Sequence, residues 1–227
     1  MDLFEATKAR KSIRAYKADP VPEEVLRELM EMATHAPTSV NSQPCEYYII
    51  SGDVLNELKK ACVEEFRAGT LPNPDVPVAK MKGTAPGLTG IYRDRQVALA
   101  KQMFKLLGIA KGDKQAMQDW GAAMYRFYDA PAVIVIAIDD SLSGGWPLID
   151  TGVITYSIAL TAEAYGLGTC IMRGIVDYPE HIRKLVDVPD SKQIVIGIAI
   201  GYPDSSNPVN DLRSEREDID TIVTFVS

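Results

Sequence analysis

The sequence is short of the residues that carry most unaided protein chemistry. It has three cysteines, Cys45, Cys62 and Cys170, far apart and with no CxxC pair. That weighs against a disulfide framework and against a zinc site, and it fits a reducing, cytoplasmic compartment. The two histidines, His35 and His181, are widely separated. A helix-end charge role suits His35, ordinary surface use suits His181, and no nucleophile–histidine pair or metal site is legible. GxGxxG, Walker A, GxSxG and HExxH are all absent, and "GLGTCIMRG" spaces its glycines wrongly for a nucleotide loop. The longest apolar run, "APAVIVIAI" ending at Ile138, is too short to cross a bilayer. The opening "MDLFEATKARKSIR" has no apolar core of the kind a signal peptide needs. Bases are outnumbered, 24 Lys+Arg against 31 Asp+Glu, for a net charge of −7. An acidic chain of this kind is a poor match for nucleic acid or an anionic membrane as main partner.

What is present is an ordinary globular composition, 46% hydrophobic and 24% charged over 227 residues, within reach of one domain spanning 1–227. Helical spacing marks "DLFEATKA", "EEVLRELMEMA" after Pro22, "DVLNELKKACVEEF", a long helix opening at Asp150 as N-cap and closing at Gly166 and Gly168, and "PEHIRKLVD". Strands are expected at "EYYIIS", "AVIVIAI", "TCIM" and "QIVIGIAIGYP", and the tail "IDTIVTFVS" reads as a last strand. "AVIVIAI" is continuously apolar, as in a strand buried on both faces. Between Gly69 and Gly90, prolines 72, 74, 77 and 86 alternate with Gly83 and Gly87, a long loop. Two helices follow, one with Val97, Ala100, Phe104 and Leu107 on a face, the other with Met117, Trp120, Met124 and Phe127. Residues from about 69 to 128 thus form an insertion of a loop and two helices within an α+β domain of one sheet and flanking helices.

Three polar clusters stand out. "KARKSIRAYK", Lys8 to Lys17, has five bases and no acid. In an extended stretch Arg10, Ser12 and Arg14 would point to one side, which suits a phosphate; a solvated basic patch is the competing reading. "APTSVNSQP", Ala36 to Pro44, supplies Thr38, Ser39, Asn41, Ser42 and Gln43 between two prolines. It suits the polar edge of a heterocycle, or turn chemistry alone. "NDLRSEREDI" adds Arg213 and Arg216 as anion candidates in an acidic stretch that otherwise reads as solvated loop.

Taken together and in order, these segments resemble the FMN-dependent nitroreductase family. The carrying motifs are Arg10, Lys11, Ser12 and Arg14; the loop Pro37 to Pro44; the helix from Asp150 to Gly168; and Gly201-Tyr202-Pro203 followed by a basic residue and a tail. The resemblance implies a central, mostly antiparallel mixed sheet flanked by helices. It implies an intertwined homodimer with C-terminal strand exchange, the long helix in the dimer core, and FMN sites lined by both subunits. It places Arg10 and Ser12, with Lys11 and Arg213, at the FMN phosphate, and Arg14 at the pyrimidine edge of the ring. Pro37, Thr38, Ser39, Asn41 and Gln43 would come from the other subunit. Met172, Arg173 and Gly174 would line the flavin face, with a backbone N–H near N5, and Gly201 would be a close-packing position. Members often have an acidic residue where Arg173 stands.

The expected activity is ping-pong reduction of a small aromatic acceptor, nitroaromatic or quinone-like, by NADH or NADPH through FMN. Arg14 and Arg173 are the side chains expected to act nearest the chemistry. Reductive dehalogenation, enoate reduction and FMN carriage or sensing without turnover are the alternatives. Tyr92, Trp120, Tyr125, Phe127 and Tyr128 of the insertion would wall the acceptor slot, or, for Trp120 and Phe127, serve as core.

Overall fold

The computed structural model describes residues 2–76, 88–142 and 144–227. Part of the expected Pro/Gly loop, with Pro77, Gly83, Pro86 and Gly87, lies outside them. Four strands, β1 (Cys45–Ser51), β2 (Ala132–Asp139), β3 (Gly168–Met172) and β4 (Lys192–Gly201), form one sheet in the order β1-β2-β4-β3. All three pairings are antiparallel; the parallel element is an isolated bridge between Ser12 and Thr169. Eight helices accompany it among the described residues: α1 (Leu3–Ala9), α2 (Glu23–Ala33), α3 (Gly52–Ala68), α4 (Gly90–Leu106), α5 (Lys114–Tyr125), α6 (Trp146–Ala164), α7 (Pro179–Val186) and α8 (Ile219–Ile222).

The apolar run of β2 explains the layering. Successive side chains of a strand point to opposite faces. Val133, Val135 and Ala137 join a core with Leu55, Leu58 and Cys62 of α3, Tyr125 of α5 and Ile182 of α7. Ala132, Ile134 and Ile136 join a second core with Leu26 and Leu29 of α2 and Ile154, Ile158 and Ala162 of α6. A strand with helices on both faces has no polar side, so its sequence does not alternate.

Glycines at two strand ends allow close approaches, one to the N-terminal segment and one to the residue before β2. A Cβ on Gly168 would lie 2.4 Å from Ile13 Cγ1, and one on Gly201 would lie 2.4 Å from Pro131 Cδ. The close-packing role expected for Gly201 is therefore met by the ring of Pro131.

Two expectations at chain-organising points need correction. The long helix does not start at Asp150. Pro147 in its first turn starts it at Trp146, so Asp150 is inside the helix and buried. The tail is not a strand in the protomer: Ile219–Ile222 form one helical turn, capped by the Asp218 carboxylate accepting from Asp220 N, and Val223 to Ser227 are exposed. An isolated segment has no partner for ladder hydrogen bonds, and local capping prevails.

Gly201→Ala forces a methyl group into the rigid Pro131 ring and the Tyr16 side chain. It is expected to cost about 1–3 kcal/mol, seen as a melting temperature lower by several degrees. An unchanged melting temperature would contradict the close approach.

Candidate functional site

The first and third polar clusters form one place. A cleft of about 480 Å3 is lined by Arg10, Lys11, Ser12, Arg14, Arg213 and Arg216, with Lys8 and Thr7 from α1 and Leu99 from α4. Lys8, which the sequence marks as surface, thus borders the cleft from the last turn of α1, whereas Lys17 is exposed.

The cations do not fix their own positions; a buried neutral side chain does. Asn210 Oδ1 accepts from Arg14 N at 2.8 Å, and its Nδ2 donates to Ala15 O at 2.8 Å and Asp204 O at 2.9 Å. Lys11 Nζ donates to the Asn210 carbonyl, and Arg213 Nη1 donates to Ala9 O at 2.9 Å. On the other side Ile13 N donates to Thr169 O at 2.9 Å, laying the segment along the start of β3. The C-terminal loop and the sheet edge therefore hold residues 9–15 between them. Asn210 opens "NDLRSEREDI", a stretch that reads as charge; only the fold shows its first residue as the clamp.

The crowding of like charge acts on the ionisable groups of the cleft. Burial pushes the Lys11 ammonium below its ordinary range, and the Arg213 charge adds to that. Burial raises the Glu163 carboxyl, while Arg10, Arg213 and Lys11 pull it back. A cleft whose cations repel one another is suited to an anion that relieves them, and several guanidiniums suit a phosphate. Deeper along the segment, burial pushes Tyr128 up to about 12, opposed by Arg14.

The loop Pro37–Pro44 is elsewhere in the protomer and lines no part of that cleft. Ser39 N donates to both Asp150 carboxylate oxygens at 3.1 Å, and Ser42 Oγ lies 3.4 Å from Oδ2. Thr38 Oγ1 accepts from Gln43 N at 3.1 Å. Asp150 thus holds this loop to α6. Val40, Asn41 and Gln43 have φ of 47°, 57° and 46°, left-handed values without a glycine, and Val40 is 95% exposed. A β-branched residue held there is strained, and such strain collects at binding segments. Pro37, Asn41 and Gln43 are exposed, with Thr38 and Ser39 half-buried.

Met172 ends β3, buried; Arg173 and Gly174 begin the turn that follows. Arg173 Nε is 3.5 Å from Oδ1 of Asp177, a fully buried carboxylate whose Oδ2 accepts from Tyr125 Oη at 2.9 Å.

The insertion's aromatics are mostly core. Phe127 is fully buried, and Tyr125 and Tyr128 are buried with it. Tyr125 stacks on Phe66 at 5.0 Å, and half-buried Trp120 packs on Tyr128 at 5.2 Å. Within the protomer, packing of this kind suits the core reading of Phe127, while Trp120 keeps part of its ring at the surface. Tyr92 is exposed, with the Arg95 guanidinium 5.7 Å from its ring centre. Phe127, Tyr128 and Asp129 all have left-handed φ, of 57°, 55° and 60°. Arg95 also pairs with Glu217 at 2.7 Å, which docks α4 against the C-terminal segment beside the cleft.

An antiparallel sheet covered by helices, with a cation-lined cleft built from both chain ends at the sheet edge, defines an α+β protein whose cleft has the donors that suit a phosphorylated ligand. Its particular lineage is explicit in the comparisons. The nitroreductase family model matches residues 7–202, and the chain belongs to that family. It is 28% identical to a 4-nitrobenzoate reductase of Nocardioides sp. (strain LMS-CY), over 100% of this chain and 91% of that protein. It is 27% identical to nitroreductase NfnB of Mycolicibacterium smegmatis (strain ATCC 700084 / mc(2)155), over 99% and 94%. The crystal structure of the FMN-dependent nitroreductase NfnB from Mycobacterium smegmatis in complex with NADPH superposes with a TM-score of 0.89, at 26% identity and full coverage of both chains. No described helix is long and apolar enough to cross a membrane.

Asn210→Ala removes three hydrogen bonds and leaves Arg14 N without its acceptor. A stability loss of about 2–3 kcal/mol is expected, measured by denaturant unfolding. A midpoint equal to wild type would show that the clamp is dispensable.

Proposed function

We propose that the protein is an FMN-dependent NAD(P)H oxidoreductase that reduces nitroaromatic or quinone-like acceptors. The observation that carries this reading is the cleft in which Arg10, Lys11, Ser12, Arg14 and Arg213 converge, in a chain of the nitroreductase family. The donor set fits the group: a phosphate needs several charge-assisted donors in fixed positions. Arg10, Ser12, Lys11 and Arg213 would hold the phosphate. Bound there, FMN supplies two-electron transfer from NADH or NADPH to the acceptor in two half-reactions.

Arg14 would place positive charge at the pyrimidine edge of the ring, where reduction concentrates negative charge. The segment that carries it runs parallel to β3 from the Ser12–Thr169 bridge. Arg14 is therefore displaced from Arg10 in the direction of Met172–Gly174, which would line the ring. The division of labour between Arg10 as anchor and Arg14 as electrostatic partner follows from that direction.

The site is completed, in this reading, by a second copy of the chain. Pro37, Thr38, Ser39, Asn41 and Gln43 would come from the partner, consistent with their distance from the cleft in one protomer. Leu148, Ile149, Val153 and Tyr156 leave α6 with an exposed apolar face. Ile222, Phe225 and Val226 leave the tail likewise exposed. Apolar surface of this kind marks association, and a tail without a sheet partner in its own protomer suits exchange. The chain 1–227 would be one domain, its insertion bordering the cleft through α4.

Purified protein should be yellow and should bleach anaerobically with NADH or NADPH; a colourless protein that takes up no added FMN would end this reading. Arg10→Ala and Arg213→Ala should each weaken FMN binding by roughly 10-fold or more, while Arg14→Ala should keep FMN and slow its reduction. Equal FMN affinity in all three variants and wild type would remove the phosphate assignment. Deleting residues 219–227 should lower the mass in solution from dimer towards monomer, read by light scattering; a wild-type protein that is already monomeric would refute the shared site.

A further inference from the structure

We infer that the Arg173 side chain grips the carboxylate of an anionic aromatic acceptor, with Asp177 as its positioning residue. The inference rests on the flavin reading above, which puts residues 172–174 against the ring on which the acceptor stacks.

Asp177 is built as a fixed support. It is fully buried, Tyr125 Oη donates to its Oδ2 at 2.9 Å, and its backbone carbonyl accepts from Asn73 N at 2.9 Å. Its remaining oxygen, Oδ1, has no hydrogen-bond partner among the described residues. What approaches Oδ1 is Arg173, through Nε at 3.5 Å, with the arginine side chain 44% exposed. Among the described residues the guanidinium makes no hydrogen bond. A guanidinium offers five donors in a planar fork. Here the Nε side faces the buried charge, and donors remain on the exposed part of the group.

The position separates this cation from the phosphate cluster. Thr169 lies beside Ser12, and Arg173 is four residues further along the chain, on the order of 13 Å in extended geometry. Arg173 does not line the cleft, which has its own cations. Its ligand is therefore a second anion. Two sources offer one, the acceptor and the phosphates of a nicotinamide nucleotide. In an aryl carboxylate the anion is one ring away from the group that is reduced. In the nucleotide the phosphates are separated from the nicotinamide by a ribose. A cation beside the stacking face meets the first more directly.

The test compares 4-nitrobenzoate with its neutral methyl ester, using the FMN-loaded enzyme and both NADPH and NADH. Arg173→Gln should lower kcat/KM for 4-nitrobenzoate by roughly 10-fold or more relative to that for the ester. Arg173→Lys, which keeps the charge and loses the fork, should recover part of the difference. Asp177→Asn should shift the acid-to-ester ratio in the same direction by less; a purely structural role would lower both substrates together. An unmoved ratio in Arg173→Gln overturns the inference. So does a loss equal for both acceptors, whether with NADPH and NADH alike or with NADPH alone, which would assign Arg173 to the phosphates of the nucleotide. A wild-type protein without flavin overturns this and the oxidoreductase reading together, whereas a yellow, NADPH-reducible enzyme with an unmoved ratio overturns only this one.

Discussion

Asn210 joins residues 14 and 15 to residue 204 through three hydrogen bonds, and the cleft depends on that contact. Five bases within ten residues repel one another. Left to solvent they would spread, because long cationic side chains hold no fixed geometry without partners. The structure fixes their backbone instead. A buried amide satisfies Arg14 N and Ala15 O, β3 takes Ile13 N, and the glycine at 168 lets Ile13 come close enough to do so. The side chains are then held on a rigid base, with their repulsion only partly offset by Glu163 and Asp211. Pre-organised positive charge binds more tightly than charge that must be gathered.

The same economy applies to the second loop. Asp150 is buried in α6 and accepts from Ser39 N. Its carboxylate offsets the cost of holding Val40, Asn41 and Gln43 in left-handed backbone. Two separate polar surfaces thus emerge from one protomer, each fixed by a buried side chain that touches no ligand. Their separation within one protomer is the physical reason the proposed site draws on two copies.

Much of this was legible in the residues. Periodicity located all four strands and every described helix but α8, and the uninterrupted apolar run at Ala132 gave the buried strand. The cation segment was visible as composition, and its convergence with Arg213 follows the family order of motifs. What was not legible depends on long-range partners. Asn210 has no local pattern that separates a clamp from a loop residue. Asp150 matches an N-cap locally, and only Pro147 and the Ser39 contact reveal its different use. The aromatics of α5 have the spacing of a core face and the chemistry of a slot, and their packing in the protomer is a long-range property that spacing does not show. The strained turn Phe127–Asp129 contains no glycine, so nothing in its sequence signals it. The tail formed a helical turn because strand pairing needs a second chain edge, which a sequence cannot display.

The central claim is that both chain ends build a phosphate site for a flavin nucleotide. The most direct test is the affinity of flavin-stripped protein for FMN against riboflavin, which has the same ring and no phosphate. The account predicts FMN tighter by on the order of 100-fold or more at low salt, with the gap narrowing as salt rises. Equal affinity for the two flavins at every salt concentration would contradict it.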